Sequence, residues 1–387
     1  MTRVVVTGVG IVSGVCTGGA AALGPALESG RSAIGPVTAF STDGFACHLA
    51  AEVPSATLVD LIDVSEGRRL SRVSQLAVTA GRLAVRDAGI EGHPDVHLVV
   101  GTEFGDLRST EEFAAGYLAR GVAGLSPLAF PNTVMNTMAS AVAIALGLRG
   151  ASITLNCRRV PGELAVARAV ALVAGGRAQR VIAGGVDEVS PLVFRVLGGF
   201  GALSCENGHA EGCRPYDRTA NGAVLGEGAA FLVIESLDSA RTRGARALAE
   251  IRAAAWHSGV RTPTIETALA AARVSADQIA WIYSAAPGDP REDAAQLRAL
   301  RHSPGLGEVA LTSLAPLAGA HAGLGPLHVA AATWTAAAGW LPGIATLAEP
   351  LATAAVGPGL HRVASRPGLV HGVARRGDQV ALVVAPV

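Results

Sequence analysis

The run from Gly150 to Pro191 constrains this chain more than any other, because it reads as strand, sharp turn, helix and strand with almost no slack. Ser152 to Cys157 is β-prone. Gly162 to Ala174 carries apolar residues at helical spacing (Leu164, Ala167, Val170, Ala171, Ala174), and Gly175-Gly176 follows as glycine follows helix ends. Arg180 to Ala183 reads as a second strand, closed by Gly184-Gly185. A turn from a strand into a helix N-terminus gathers backbone N–H groups and the positive end of the helix dipole. Such a turn is where an enzyme can hold a nucleophile and stabilise negative charge. Here the turn holds Arg158 and Arg159.

The flanking chain fits an α/β protein. Before the run, strands are predicted at Arg3–Gly8 and Val96–Gly101, and helices at Ala20–Gly30, Ser65–Ala88 (with Ser65 as N-cap) and Thr110–Arg120. Ser32–Val53 reads as a surface excursion. After it, strands are predicted near Ala247–Trp256, Ile279–Ser284, Val309–Ser313 and Gln379–Val384, with helices near Thr264–Arg273, Arg291–Leu300 and Gly325–Gly339. The glycines at 8, 10 and 14 depart from the dinucleotide-binding spacing, and no acidic residue follows at the required distance.

Charge balances at 31 basic against 31 acidic residues, which gives no electrostatic case for nucleic acid or an anionic membrane. Every basic residue other than histidine is arginine, so lysine chemistry is excluded. The five cysteines (Cys16, Cys47, Cys157, Cys205, Cys213) form no C-x-x-C pair, which argues against zinc and for reduced thiols in a cytoplasm. MTRVVVTGVG enters a strand directly and predicts no signal peptide. Val329–Leu341 is too short to span a membrane and reads as a buried helix.

The Gly150–Pro191 run resembles the nucleophile elbow of β-ketoacyl synthases, the condensing enzymes of fatty acid and polyketide synthesis. Gly150, Ser152, Gly162, Gly176, Ala178, Ala183, Gly184 and Gly185 keep the family's register without a gap. Val4–Gly10 resembles the family's opening strand. Pro131, Asn136, Ala139 and Gly147–Gly150 match a second segment. RPYDRTANGAVLGEGAAFLVIE, from Arg214 to Glu235, resembles the family's Arg-Pro-Phe-Asp and Gly-Glu-Gly signature. The resemblance covers nearly the whole chain. It implies a duplicated, thiolase-like α/β fold of five layers, α-β-α-β-α, with an N-terminal half at 1–240 and a C-terminal half at 241–387.

Carried over residue by residue, the resemblance implies that the catalytic residues are gone. Arg159 stands at the cysteine position, and a permanently charged guanidinium cannot attack a thioester. Ala285 stands at the first histidine position and Asp293 keeps the last residue of that motif. Ala315 falls at the lysine position and Ala320 at the second histidine position, although counting back from the following helix moves the latter to Gly319. GVARRGDQ, Gly372 to Gln379, has diverged from the closing glycine loop. No catalytic residue, metal or cofactor is therefore expected.

A chain of this kind resembles the chain-length factor of type II polyketide systems. That subunit pairs with an active ketosynthase, shapes the tunnel for a chain carried on an acyl carrier protein, and sets its length by volume. The resemblance puts the tunnel wall in a helix after Pro131, with Val134, Met135 and Met138 as candidates and Phe130 near the entrance; packing in the core or at the partner interface is the competing reading for all four. A methionine-lined wall suits a flexible, reduced, polyene-like chain. In the aromatic-polyketide factors the lost cysteine is a glutamine associated with priming; here it is Arg159, expected to pair with Glu163, Glu188 or a partner group. Two other readings stay open: an acyl-transferring enzyme using Cys157 and His321, and a homodimeric scaffold or carrier-protein binding module.

Overall fold

Two copies of one five-strand pattern make up the chain. The computed structural model describes residues 2–259, 263–374 and 377–387. The first copy comprises β1 (Val4–Ser13), β2 (His97–Thr102), β3 (Ser152–Asn156), β4 (Arg180–Asp187) and β5 (Gly228–Ser236), in spatial order β3-β2-β4-β5-β1. The second comprises β6 (Ala249–His257), β7 (Trp281–Ser284), β8 (Ala310–Thr312), β9 (Gly368–Val373) and β10 (Gln379–Ala385), in the equivalent order β8-β7-β9-β10-β6. Directions repeat as well: the three strands at each outer end run parallel and the rest pair antiparallel. The halves join where β1 pairs antiparallel with β6, Val5 opposite Glu250 and Val6 opposite Ala249.

The principal helices are α1 (Ala20–Ser29), α2 (Arg72–Ala88), α3 (Leu107–Arg120), α4 (Thr137–Ala145), α5 (Pro161–Ala174), α6 (Pro191–Gly199), α7 (Thr264–Ala272), α8 (Pro290–His302) and α9 (Leu324–Ala338). Helices α5 and α9 touch each other and strands of both halves, so they form the middle layer. Helix α2 covers the outer face of the first half, and α7 and α8 that of the second. This gives the five layers expected. Helix α9 buries twelve of its fifteen residues, with only Trp334, Ala337 and Ala338 outside the buried set. A helix apolar on every side belongs in a core. Among the described residues no helix is long and apolar enough to cross a membrane.

Most predicted elements stand within a few residues of their expected limits, and four departures are physical. Ser65–Ala88 is not one helix: a short turn at Val64–Gly67 precedes α2, with extended Ser71 between them at ψ 163°. Asp63, not Ser65, caps that turn. Strand β4 is not closed by Gly184-Gly185 but runs through them to Asp187, because both glycines stay paired with β2 and β5; glycine at 185 leaves room for the Ala322 carbonyl, which an added Cβ would meet at 2.1 Å. The excursion at 32–53 contributes strands at Ile34–Pro36 and Leu49–Ala51 and buries Cys47, Ala50 and Ala51. Strand β9 was not expected from the sequence.

The family-like signatures act as braces. Glu227 of Gly-Glu-Gly is buried and pairs with the Arg72 guanidinium, while its carboxylate also accepts the Val53 N–H at 3.0 Å. Tyr216 is fully buried with φ 61°; its N–H donates to Asp293 at 2.9 Å and its hydroxyl lies 2.6 Å from Ser284 Oγ. Asp217 accepts the N–H groups of Ala348 and Glu349, each at 2.7 Å.

Sheet and helix approach most closely at Gly10, where an added Cβ would meet Ala80 O at 2.0 Å and Ala84 N at 2.3 Å, both backbone atoms of α2. Neither can yield without moving the helix. Gly10→Ala is therefore expected to destabilise the protein by about 1–3 kcal/mol or more, read as a lower urea midpoint with an unchanged slope. Gly35→Ala, with nothing within 4 Å, is the control and should leave the midpoint nearly unchanged.

Candidate functional site: the arginine elbow

Strand β3 ends at Asn156 and α5 begins at Pro161, so four residues make the turn. Arg159 takes φ 70°, a left-handed conformation that costs a non-glycine residue energy and persists where surrounding packing over-determines it. The turn is held by Val160 N–H donating to Arg158 O at 2.9 Å and Leu164 N–H to Val160 O at 3.0 Å. Asn156 fixes the strand end by donating to the carbonyls of Thr102 and Glu103, both at 3.0 Å. Arg158 is exposed; Arg159 turns inward.

Inward, Arg159 meets acid. Its Nε donates to Glu292 Oε1 at 3.1 Å, with both side chains largely buried. The expected partners, Glu163 and Glu188, are not the ones used: Glu188 lies instead 3.8 Å from Arg108 Nε. Glu292 occupies the first turn of α8, which the chain reaches directly after Ala285–Asp289. Burial opposes the Arg159 charge, but the carboxylates of Glu292, Glu103 and Asp289 outweigh it and hold the guanidinium above its ordinary value. Glu292 is pushed up by its own burial, with Arg159 pulling it back.

Arg159 shares a residual cavity of about 20 Å³ with Ala285, Ala320 and His321, and with Glu103 and Glu163. That volume admits about one water and no acyl chain. Three of the four positions singled out from the sequence thus converge; Ala315 does not line the cavity and is buried in the main core. His321 Nδ1 lies 3.2 Å from Gly319 O, and burial pushes the imidazole down to about 4, so it is neutral at pH 7. Cys157 is outside the lining and packs against the main core; burial first, then Glu163, Asp378 and Glu103, push its thiol up to about 12. Cys157 and His321 are therefore not brought together at this cavity.

Two acids were missed in the sequence, Glu103 directly after β2 and Glu292 inside the quoted Ala285–Asp293 stretch. A carboxylate inside a motif that has lost its histidine was the available signal for an arginine appearing at the elbow. Glu163 was named as a partner of Arg159, but its role is different: it lies in the first turn of α5 against Gly325 and Gly372, and burial, then Glu103, push it up to about 7. Among the described residues, no group of three or more His, Cys, Asp or Glu is placed to hold a metal ion.

A second feature lies beside the elbow. Strand β3 pairs only with β2, so its outer edge is open. Around it, α3, the 121–136 segment and α4 expose large apolar side chains: Leu118 at 84%, Leu128 at 90% and Ile144 at 80%, with Tyr117 and Val122. Phe130, Val134 and Met135 belong to this exposed set, and the Phe130 ring sits 5.8 Å from that of Phe113. Helix α4 starts only at Thr137, so Phe130, Val134 and Met135 precede the helix in which the wall was expected. Met138 is fully buried among α2 and α4 side chains, while Met135 Sδ lies over Gly105. The four candidates therefore divide, three on an open face and one in the core.

Comparison with known proteins agrees with the fold. A model of the β-ketoacyl synthase N-terminal domain matches residues 1–240. The 3-oxoacyl-[acyl-carrier-protein] synthase 2 of Vibrio cholerae serotype O1 is 28% identical over 323 residues, 78% of this chain and 77% of that protein. The protein of the same description from Staphylococcus aureus (strain COL) is 32% identical over 256 residues, 64% of this chain and 61% of the relative. Among solved structures, a β-ketoacyl synthase from Burkholderia phymatum STM815 matches with a TM-score of 0.90 at 25% identity over all of both chains. The ishigamide ketosynthase/chain length factor matches with a TM-score of 0.89 at 25% identity, over 100% of this chain and 99% of that one.

The buried Glu163 makes a pH prediction. Its carboxyl rises from 4.5 to about 7 on folding, so folding favours the protonated form. Its contribution is intact below about pH 4.5 and is lost as pH rises through about 7. Glu163→Gln should match the wild type near pH 4.5 and exceed it above pH 7 by on the order of 3 kcal/mol, measured by urea unfolding across that range.

Proposed function

Because the chain belongs to the β-ketoacyl synthase family, we propose that it is the non-catalytic, chain-length-setting subunit of a heterodimeric condensing enzyme. Its partner is an active ketosynthase, and the growing chain is carried on an acyl carrier protein. The observation that carries this reading is the Arg159–Glu292 pair inside the elbow. A condensing enzyme needs a thiolate at this turn to take the acyl group and bases nearby to assist the second step. Here the turn presents a guanidinium tied to a carboxylate, the neighbouring positions are Ala285 and Ala320, and the remaining space takes no substrate.

The open edge of β3 and the apolar side chains around it supply the partner face. An unpaired edge with large exposed apolar residues calls for a covering surface. Phe130, Val134 and Met135 sit on that face, where two subunits can jointly line a tunnel, and Met138 backs it from the core. One structural relative is the ishigamide ketosynthase/chain length factor, which fits the same reading.

Two outcomes test the proposal. Co-expressed with the ketosynthase encoded beside it, the chain should purify as a one-to-one heterodimer by native mass and lose solubility when made alone. A stable homodimer indifferent to the ketosynthase would instead favour a scaffold. Enlarging the wall with Met135→Trp should then shorten the product while leaving the heterodimer intact. The chain itself, and also Arg159→Cys, should take no covalent acyl group from an acyl thioester by intact mass. Rapid acylation of the wild type at Cys157 would overturn the non-catalytic assignment.

A further inference from the structure

Away from the elbow, two cysteines remote in sequence pack into one apolar cluster. Cys47 lies between the strands Ile34–Pro36 and Leu49–Ala51, and Cys205 lies on the connection that follows α6. Both belong to one small apolar cluster with Val193, Phe194 and Leu203. The Cys47 thiol is buried; burial first, and the neighbouring Cys205 next, push it up to about 12. Cys205 is only half-buried.

The two loops are held in place by independent bonds. Asn221 Nδ2 donates to Cys205 O at 2.8 Å. His48, next to Cys47, donates its N–H to Glu211 Oε2 at 2.9 Å and sets its Nδ1 2.7 Å from Oε1. Gly198 closes the space behind Cys47, where an added Cβ would lie 3.4 Å from the sulfur. The two loops are thus held against each other.

We propose that Cys47 and Cys205 form a dithiol modification site that closes to an intramolecular disulfide on exposure to a small-molecule disulfide. The accessible Cys205, as thiolate, attacks the oxidant, forming a mixed disulfide and releasing one thiol. Cys47 then gives up its proton and attacks the Cys205 sulfur, releasing the second thiol. Two cysteine thiols are oxidised by two electrons and one small disulfide is reduced to two thiols. The bond ties the 37–48 loop to the 204–212 loop and closes a long stretch of chain, which restricts the unfolded ensemble.

The test uses the purified full chain and oxidised glutathione. After treatment and denaturation, free thiols should fall from five to three, and non-reducing digestion should yield one peptide pair joining Cys47 and Cys205. The thermal midpoint should rise and return on reduction. Cys157→Ser should still lose two thiols, whereas Cys205→Ser should keep all four of its own. Five free thiols after treatment, a glutathione adduct that stays on Cys205, or a bond to Cys16, Cys157 or Cys213 would each overturn the proposal.

Discussion

A single carboxylate draws the ends of several elements to one centre. Asp187, the last residue of β4, accepts the Thr102 hydroxyl at 2.7 Å and the Glu103 N–H at 3.0 Å from the end of β2. From the other half it accepts the Ala322 N–H at 2.9 Å, just before α9. Burial, then the Glu103 charge, push the group up to about 7, while the Thr102 hydroxyl and the N–H groups of Ala322 and Phe104 pull it down. A buried acid is tolerated only when such bonds replace its water. The bonds position both Glu103 and the loop carrying Ala320 and His321, so the geometry around the elbow depends on them.

The elbow keeps the backbone of a nucleophile turn while its side chains do something else. Left-handed Arg159, the strand before it and the helix after it supply the usual frame. The side chain then spends the site's electrostatics on an ion pair. A lone buried arginine would be costly, and so would the acids around it; together they offset one another. The open β3 edge lies beside this elbow.

Much of the fold was legible because the pattern residues are structural. The glycines of the elbow, Gly-Glu-Gly around Glu227, and Arg214–Asp217 mark close approaches and buried braces that few other residues can satisfy. Helix α9 was legible from its apolar run. The site was legible only in part. Arg159, Ala285 and Ala320 fall together because they sit in motifs with fixed register. Arg159's partner was not, since a salt bridge between residues 133 apart leaves no local periodicity. Glu103 was missed for the same reason. Val134 and Met135 were placed in a helix by the resemblance, and their apolar character, shared by cores and interfaces alike, could not correct it; only exposure separates the two.

The acid set around Arg159 also orders the mutational routes open to this chain. A neutral side chain at 159 would leave Glu292, Glu103 and Asp289 facing one another without a cation, at a cost in folding. Removing Glu292 first would strand the arginine. Neither single step is neutral, so replacing the arginine at the turn requires paired changes. The pair therefore couples the two positions: each side chain limits what the other can become without a cost in folding.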